Sequence, residues 1–510
     1  MSTEDTLPRY TEFVDRLVSA LGGAAAVSAA ATETTVADGW RHHPGWGTLP
    51  SEPESSAEFS YTLRQDTVAP RYRLALKAKT HLVPAQLDYV ETGNGSRGHV
   101  DGVDFMFDTR PVNTPIASWR VATRQRHNDL ISPLRIARKL LAPEADVSVD
   151  DAVLTLREVG RPPLRITLDP ATGLPATFAV TEEHSPLGDV LVEVWFGDYR
   201  EAGVLTLPHH VTITIDGVTV HDEVRSSIEI SDRADDGEFA VAESAVQDGS
   251  AGQVAYAHYS TEWIMTYVLA GVRFYFDLQV APVTPEAVDL AEGVKLVIGP
   301  SHNTMVVEMP DHTLAVEAPL YDEYTHAALA QVKAAFPGKP LRTVVGTHFH
   351  YDHIGGLREF AAEGGITVLV GEPTVPFFER IFDGQHTVDP DRFSGNPVPV
   401  TVRGVADSLA LPMADGGNVE LYRITNDHTE DMLIVYLSKA KLVFESDLWN
   451  PTPVEPAPNS GRGRVTTQLY EAIVKLGLDV ETVVGGHNGT DGKTLAHAAP
   501  FSYLKIAAGY

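Results

Sequence analysis

Residues 347–356 read THFHYDHIGG and follow the β-branched segment RTVVG (342–346) without a break. That segment predicts a strand, and residues two apart at the end of a strand project to the same side. His348, His350 and Asp352 therefore share one side. His353 comes next, where Gly355 and Gly356 are expected to turn the backbone sharply into a helix over LREFAAEG (357–364) and swing the imidazole toward a neighbouring position. One loop then serves two adjacent metal sites. Three imidazoles and a carboxylate within six residues suit zinc, which takes His nitrogen and carboxylate oxygen at about 2.0 to 2.2 Å with four or five ligands. A histidine taken singly reads first as an ordinary surface or core residue; the grouping is what carries the metal reading.

Outward from this loop, VKLVIG (294–299), NTMVVEM (303–309) and HTLAVEAP (312–319) read as strands, and YTHAALAQVKAAF (324–336) as a helix stopped by Pro337-Gly338. Strand and helix signals keep alternating through TVLVG (367–371), PTVPFFERIF (373–382), MLIVYLS (432–438), KLVFES (441–446), QLYEAIVKLG (468–477) and TVVGG (482–486). This is α/β in character. Ser438 and Lys441 match SxxK, but they lie between two strand signals, where a hairpin turn is expected; the serine nucleophile of that motif needs a helix.

The HxHxDH run after a strand resembles the signature of the metallo-β-lactamase superfamily, and later motifs of that family follow in order. They are His428 in TNDHTEDMLIVYL, Asp447 in KLVFESDLWNP and His487 in TVVGGHNGT. The resemblance spans residues 285–510 and implies an αββα sandwich. It implies one metal held by His348, His350 and His428, a second held by Asp352, His353 and His487, and Asp447 bridging both. An Asp at 447, where β-lactamases of one class carry Cys, is similar to the thioesterase, lactonase and phosphodiesterase branches. The family's early acid is an Asp; here HTLAVEAPL offers Glu317, in a position that usually braces the metal loop without ligating.

Two zinc ions, with iron or manganese as alternatives, would generate hydroxide from water near neutral pH and polarise the scissile carbonyl or phosphoryl oxygen. Asp352 is the expected catalytic proton acceptor. Tyr351, Trp449 and Asn488 lie beside ligands and are the candidate substrate contacts, each reading first as a packing or loop residue. A structural zinc site would be closed with four ligands, whereas seven candidate ligands for two ions leave coordination open. The expected function is hydrolysis of an ester, lactone, thioester or lactam. The alternatives are a phosphodiesterase of the same fold and a mononuclear iron oxygenase of sulfur compounds.

The first half reads differently. In RYRLALKAKT (71–80) Tyr72, Leu74, Leu76 and Ala78 alternate with charged residues, the pattern of a half-buried antiparallel strand. AVLTLREV, LRITLDP, LVEVWFGDY, HVTITIDGVTV and SSIEIS repeat that signal. Phe13, Leu17 and Leu21 predict a helix broken at Gly22-Gly23, and Ser132-Pro133 opens the one helix expected among the strands. Residues 1–255 are thus expected to form an antiparallel-sheet α+β domain with a few helices, similar in pattern to lipoprotein-carrier proteins, joined through 256–284 to the domain at 285–510. The adjacent pairs His42-His43 and His209-His210 carry no metal reading, since neighbouring side chains diverge.

With 510 residues, 43% hydrophobic and 21% charged, the chain suits two or three folded domains. A formal charge of −30 repels nucleic acid and anionic membranes, and zero cysteines exclude disulfides, thiolate nucleophiles and Cys-based metal sites. A small-molecule substrate is the expected partner. An acidic N-terminus and the lack of a long apolar run predict a cytoplasmic protein, an exported protein stripped of its leader being the alternative.

Overall fold

The computed structural model describes residues 3–42, 47–50, 57–79, 86–105, 108–116, 118–184, 186–241, 285–299, 302–320, 322–490 and 494–510. The linker expected at 243–252 and the aromatic segment 258–278 lie outside the described residues. The chain groups into two compact units, one within 1–43, 55–184 and 189–280, the other within 44–54, 185–188 and 281–510. No helix among the described residues is long and apolar enough to cross a membrane.

The first unit is built on a thirteen-stranded sheet with few helices. Its strand order runs from Asp108–Ile116 back through Thr32–Arg41, then crosses to Val218–Ser231 and back again to Asp146–Asp150. Hairpin succession explains the antiparallel pairings on both sides of that crossing. Within Arg71–Lys79 every second residue from Tyr72 to Ala78 is buried, as the alternation predicts. Helix Thr3–Leu21 buries Val14, Leu17, Val18 and Leu21 and ends at Gly22, whose φ of 126° and closeness to the Val204 carbonyl exclude a side chain. Helix Pro133–Leu140 opens on Ser132 Oγ, which accepts from Arg135 N at 3.3 Å. His209 bonds the Arg225 carbonyl and His210 bonds Asp222, so this adjacent pair does diverge.

A second helix, Ser118–Leu130, interrupts the strands where none was expected. Its polar side chains are buried, among them Arg120, Arg124 and His127, so no apolar stripe marks it. Their burial is offset by charge pairing. Glu91, fully buried, accepts from Tyr72 Oη at 2.8 Å, Arg120 Nε at 2.8 Å and Arg124 Nε at 3.2 Å. Burial opposes its charge, but Arg120 and Arg124 outweigh it and hold the Glu91 carboxyl down at about 2. A depressed carboxyl contributes stability that is present above the unfolded value of about 4.5 and lost as pH falls through the folded one. The thermal midpoint of this unit should therefore fall between pH 4.5 and 2, by the equivalent of about 3 kcal/mol from Glu91 alone. Calorimetry of the full chain should show Glu91→Gln less stable near pH 7 and flatter over that acid range. A parallel pH dependence in both proteins would contradict the pairing.

The second unit has two sheets. Glu286–Ala291, Val294–Ile298, Asn303–Glu308, Thr313–Val316, Leu341–Val345, Thr367–Gly371 and Thr401–Val405 form the first in that order, antiparallel up to Thr313–Val316 and parallel from there on. Ser408–Pro412, Asn418–Arg423, Leu433–Leu437, Leu442–Glu445, Thr482–Thr490 and Leu495–Pro500 form the second. Both sheets supply one core, in which Leu296, Val307, Val316 and Val345 of the first pack with Leu421, Val435, Phe444 and Val484 of the second. Each sheet's other side buries its apolar residues against helices. Val344 and Val368 pack with Leu329 and Phe360, and Ile434 and Val443 pack with Leu469 and Ile473. Strands buried on both sides lose the polar alternation, which is why LVFE and LIVYL read as unbroken apolar runs. The turn at Ser438–Lys441 joins two hairpin strands as expected.

Candidate metal centre

The metal loop leaves strand Leu341–Val345 and, after His348 and His350, closes into a single helical turn, Tyr351–Ile354. The glycines act otherwise than expected. Gly355 keeps an ordinary helical φ of −57° and Gly356 a φ of −93°, so neither supplies a sharp left-handed turn. They are needed for close approach, because a Cβ would collide with the Leu320 carbonyl at Gly355 and with the Thr325 side chain at Gly356. The helical turn, rather than a glycine bend, separates His353 from His350.

All seven expected ligands converge. His348, His350, His428 and Asp447 offer one ligand atom each within 4.8 Å of one another, and Asp352, His353 and His487 do the same in a second group. Asp447 lies between the groups. Its Oδ2 is 3.1 Å from His428 Nε2 and 3.7 Å from His348 Nε2, while its Oδ1 is 2.8 Å from His487 Nε2 and 3.4 Å from His353 Nε2. The backbone at Asp447 is left-handed, φ 64°, and two backbone N–H groups beyond it, Leu448 and Trp449, donate to buried Glu445. Such a conformation costs of order 1 to 3 kcal/mol in a non-glycine residue and persists where its surroundings impose it. His428 is fixed by an Asx turn, with Asn426 Oδ1 accepting from His428 N at 2.7 Å and Thr429 N at 2.9 Å.

The imidazoles are oriented from behind. Glu317 Oε1 accepts from Thr347 Oγ1 at 2.6 Å and its Oε2 from His353 Nδ1 at 3.1 Å, which turns His353 Nε2 toward Asp352 and Asp447. His350 Nε2 donates to the Gly47 carbonyl at 3.1 Å, which leaves Nδ1 as the nitrogen able to hold an ion. The same short segment ties the neighbouring turn, Thr48 O accepting from Glu430 N at 3.0 Å. Buried Asp431, pushed up to about 7 by its burial, accepts from Thr374 Oγ1 at 2.8 Å.

The donors fit a pair of cations. His348 Nε2 and His353 Nε2 are buried without a hydrogen-bond partner, which is costly unless another group binds them. Burial, reinforced by His353, pushes the His348 imidazole down to about 3, the neutral form a ligand needs. At His353 burial is outweighed by Asp352, Glu317 and Asp447, which push the imidazole well above its ordinary value, so that His353 would give up a proton to an ion. Burial likewise opposes charge on Asp447, yet His353, His487 and Arg462 hold its carboxyl well below the usual range. Replacing Glu317 with Gln should lower metal affinity by roughly 10- to 100-fold, because an amide cannot accept both protons. Chelator competition would check this, and unchanged affinity would mean that Glu317 does not orient His353.

Three contributors were not anticipated. His302 Nε2 lies 3.0 Å from Asp352 Oδ2 and joins the second ligand group; burial and His487 push its imidazole down to about 4. Arg462 Nη1 lies 3.2 Å from Asp447 Oδ1, its side chain about a third exposed. The third is the Gly47 carbonyl. Of the expected substrate contacts, Trp449 is buried in the core with Leu469 and Ile473, and Asn488 bonds the Gly299 carbonyl and Asn303. Tyr351 is buried at the start of the helical turn.

Residues 319–487 match the family model described as the metallo-beta-lactamase superfamily. Among solved structures, the chain is similar to a metallo-beta-lactamase from Pontibacter korlensis at 19% identity, covering 44% of this chain and 97% of that one, TM-score 0.32. One from Hirschia baltica matches at 19% identity, covering 45% and 97%, TM-score 0.32. A sec-alkyl sulfatase double mutant matches at 17% identity, covering 43% and 40%, TM-score 0.31.

Proposed function

With a metallo-β-lactamase domain in its C-terminal half, we propose that the protein is a two-metal hydrolase of an ester, lactone, thioester or lactam, its domain an αββα sandwich and zinc its metal. The observation that carries the reading is the Asp447 carboxylate, whose two oxygens face two different histidine groups. That is the arrangement of a bridging ligand. His348, His350 and His428 would hold one ion, and Asp352, His353 and His487 the other. When bound, paired cations lower the pKa of a water and polarise the scissile oxygen.

The chain's own groups supply the rest. Glu317 and the Gly47 carbonyl fix the imidazole faces that meet the ions. Asp352 keeps one carboxylate oxygen without a hydrogen bond, suited to take the proton of the attacking water and return it to the leaving group. Arg462 supports a second reading, because a guanidinium half-buried beside the bridging carboxylate would also pair with a non-bridging oxygen of a phosphodiester or similar oxyanion ester.

The test is a chromogenic panel of lactone, thioester, β-lactam, sulfate ester and phosphodiester substrates on metal-replete protein, with metal analysis alongside. Turnover of an acyl substrate with two zinc per chain is expected. Turnover confined to phosphodiesters favours the second reading, and one iron with no hydrolysis overturns both.

A further inference from the structure

We propose that His302 is a ligand of the second metal, so that this site has three histidines and Asp352 in addition to the shared Asp447. The proposal rests on the two-metal reading and goes beyond it. The three imidazoles surround one carboxylate oxygen, for Asp352 Oδ2 lies 3.0 Å from His302 Nε2, 3.4 Å from His353 Nε2 and 3.8 Å from His487 Nε2. Donors bound to one zinc at about 2.0 to 2.1 Å in a tetrahedron stand about 3.3 Å apart, and those in higher coordination somewhat closer. The rings also gather around a common point, His302 lying 4.0 Å from His487 and 4.9 Å from His353 between centroids.

The backbone delivers His302 to this place. It forms an isolated antiparallel bridge with His487 itself, and its carbonyl accepts from Gly299 N at 3.1 Å and Tyr324 Oη at 3.2 Å. The side chain is 1% exposed, and a buried imidazole held this tightly loses little freedom on binding an ion.

The competing role for the same contact is that His302 donates to Asp352 and only orients it. The geometry favours ligation, because the oxygen it touches is the one that His353 and His487 also approach, which places His302 at a neighbouring vertex rather than behind the carboxylate. The two sites then differ. The second has five protein donors and the first four, so open coordination is concentrated at the ion held by His348, His350 and His428.

The full-length metal-free protein is titrated with Co(II), and the solvent-exchangeable, paramagnetically shifted imidazole N–H signals of the loaded protein are counted by proton NMR. Two cobalt ions and six such signals are expected; two ions and five signals overturn the proposal and leave the two-metal reading standing. Uptake of fewer than two ions overturns both. His302→Ala and His302→Gln should each weaken the second ion by more than about 100-fold, beyond what loss of an orienting contact costs. Gln keeps a donor for Asp352, so near-normal affinity in His302→Gln would show an orienting role and overturn ligation. Should the variants not fold, the signal count in the unaltered protein still decides.

Discussion

Asp447→Ala is expected to leave at most one tightly held metal and to lower turnover by about a thousandfold or more. The reasoning is electrostatic. In the proposed two-metal site the cations would repel one another, and the carboxylate whose oxygens face both histidine groups would be the charge that lets them share it. Losing the second cation removes several kcal/mol of transition-state stabilisation, and about 4 kcal/mol corresponds to a thousandfold in rate. Because φ at Asp447 is 64°, a left-handed conformation that alanine adopts less readily than aspartate, stability should fall as well. Metal content by mass spectrometry, circular dichroism and turnover on the best substrate of the panel separate these effects. A folded variant with two metals and normal turnover would remove Asp447 from the bridge.

The candidate site was legible where ligands sit on single elements. HxHxDH occupies one loop after one strand, and His428, Asp447 and His487 each border an apolar run that reads as a buried strand. His302 carries no such mark. It reaches the site through a bridge to a residue 185 positions away, and neither spacing nor periodicity encodes that pairing. The Gly47 carbonyl is harder still, since a backbone acceptor leaves no residue-type signal. In the first unit the alternation in Arg71–Lys79 was readable because one side is apolar, whereas helix Ser118–Leu130 was not, because it buries arginines against Glu91 in place of leucines. Periodicity arguments assume that buried means apolar, and they fail where charges are buried in pairs.

Asp352→Asn isolates the proton from the ligand. Asparagine has nearly the same shape and retains a carbonyl oxygen able to ligate, but it carries no charge and accepts no proton at working pH. In the unaltered protein burial opposes the Asp352 charge, yet His353 and His302 keep its carboxyl below the usual range, so it stands ionised across neutral pH. The variant should lose about 10²- to 10⁴-fold in kcat, the span typical of a positioned acid–base group, with KM changed much less. Weakened metal binding alone would also slow the reaction, so the decisive measurement is rate against leaving-group pKa at saturating metal. If Asp352 delivers a proton to the departing group, poor leaving groups should suffer most and the dependence should steepen in Asp352→Asn. A loss of rate equal for good and poor leaving groups would mean that Asp352 only holds the ion, and the proton would have to pass by way of solvent.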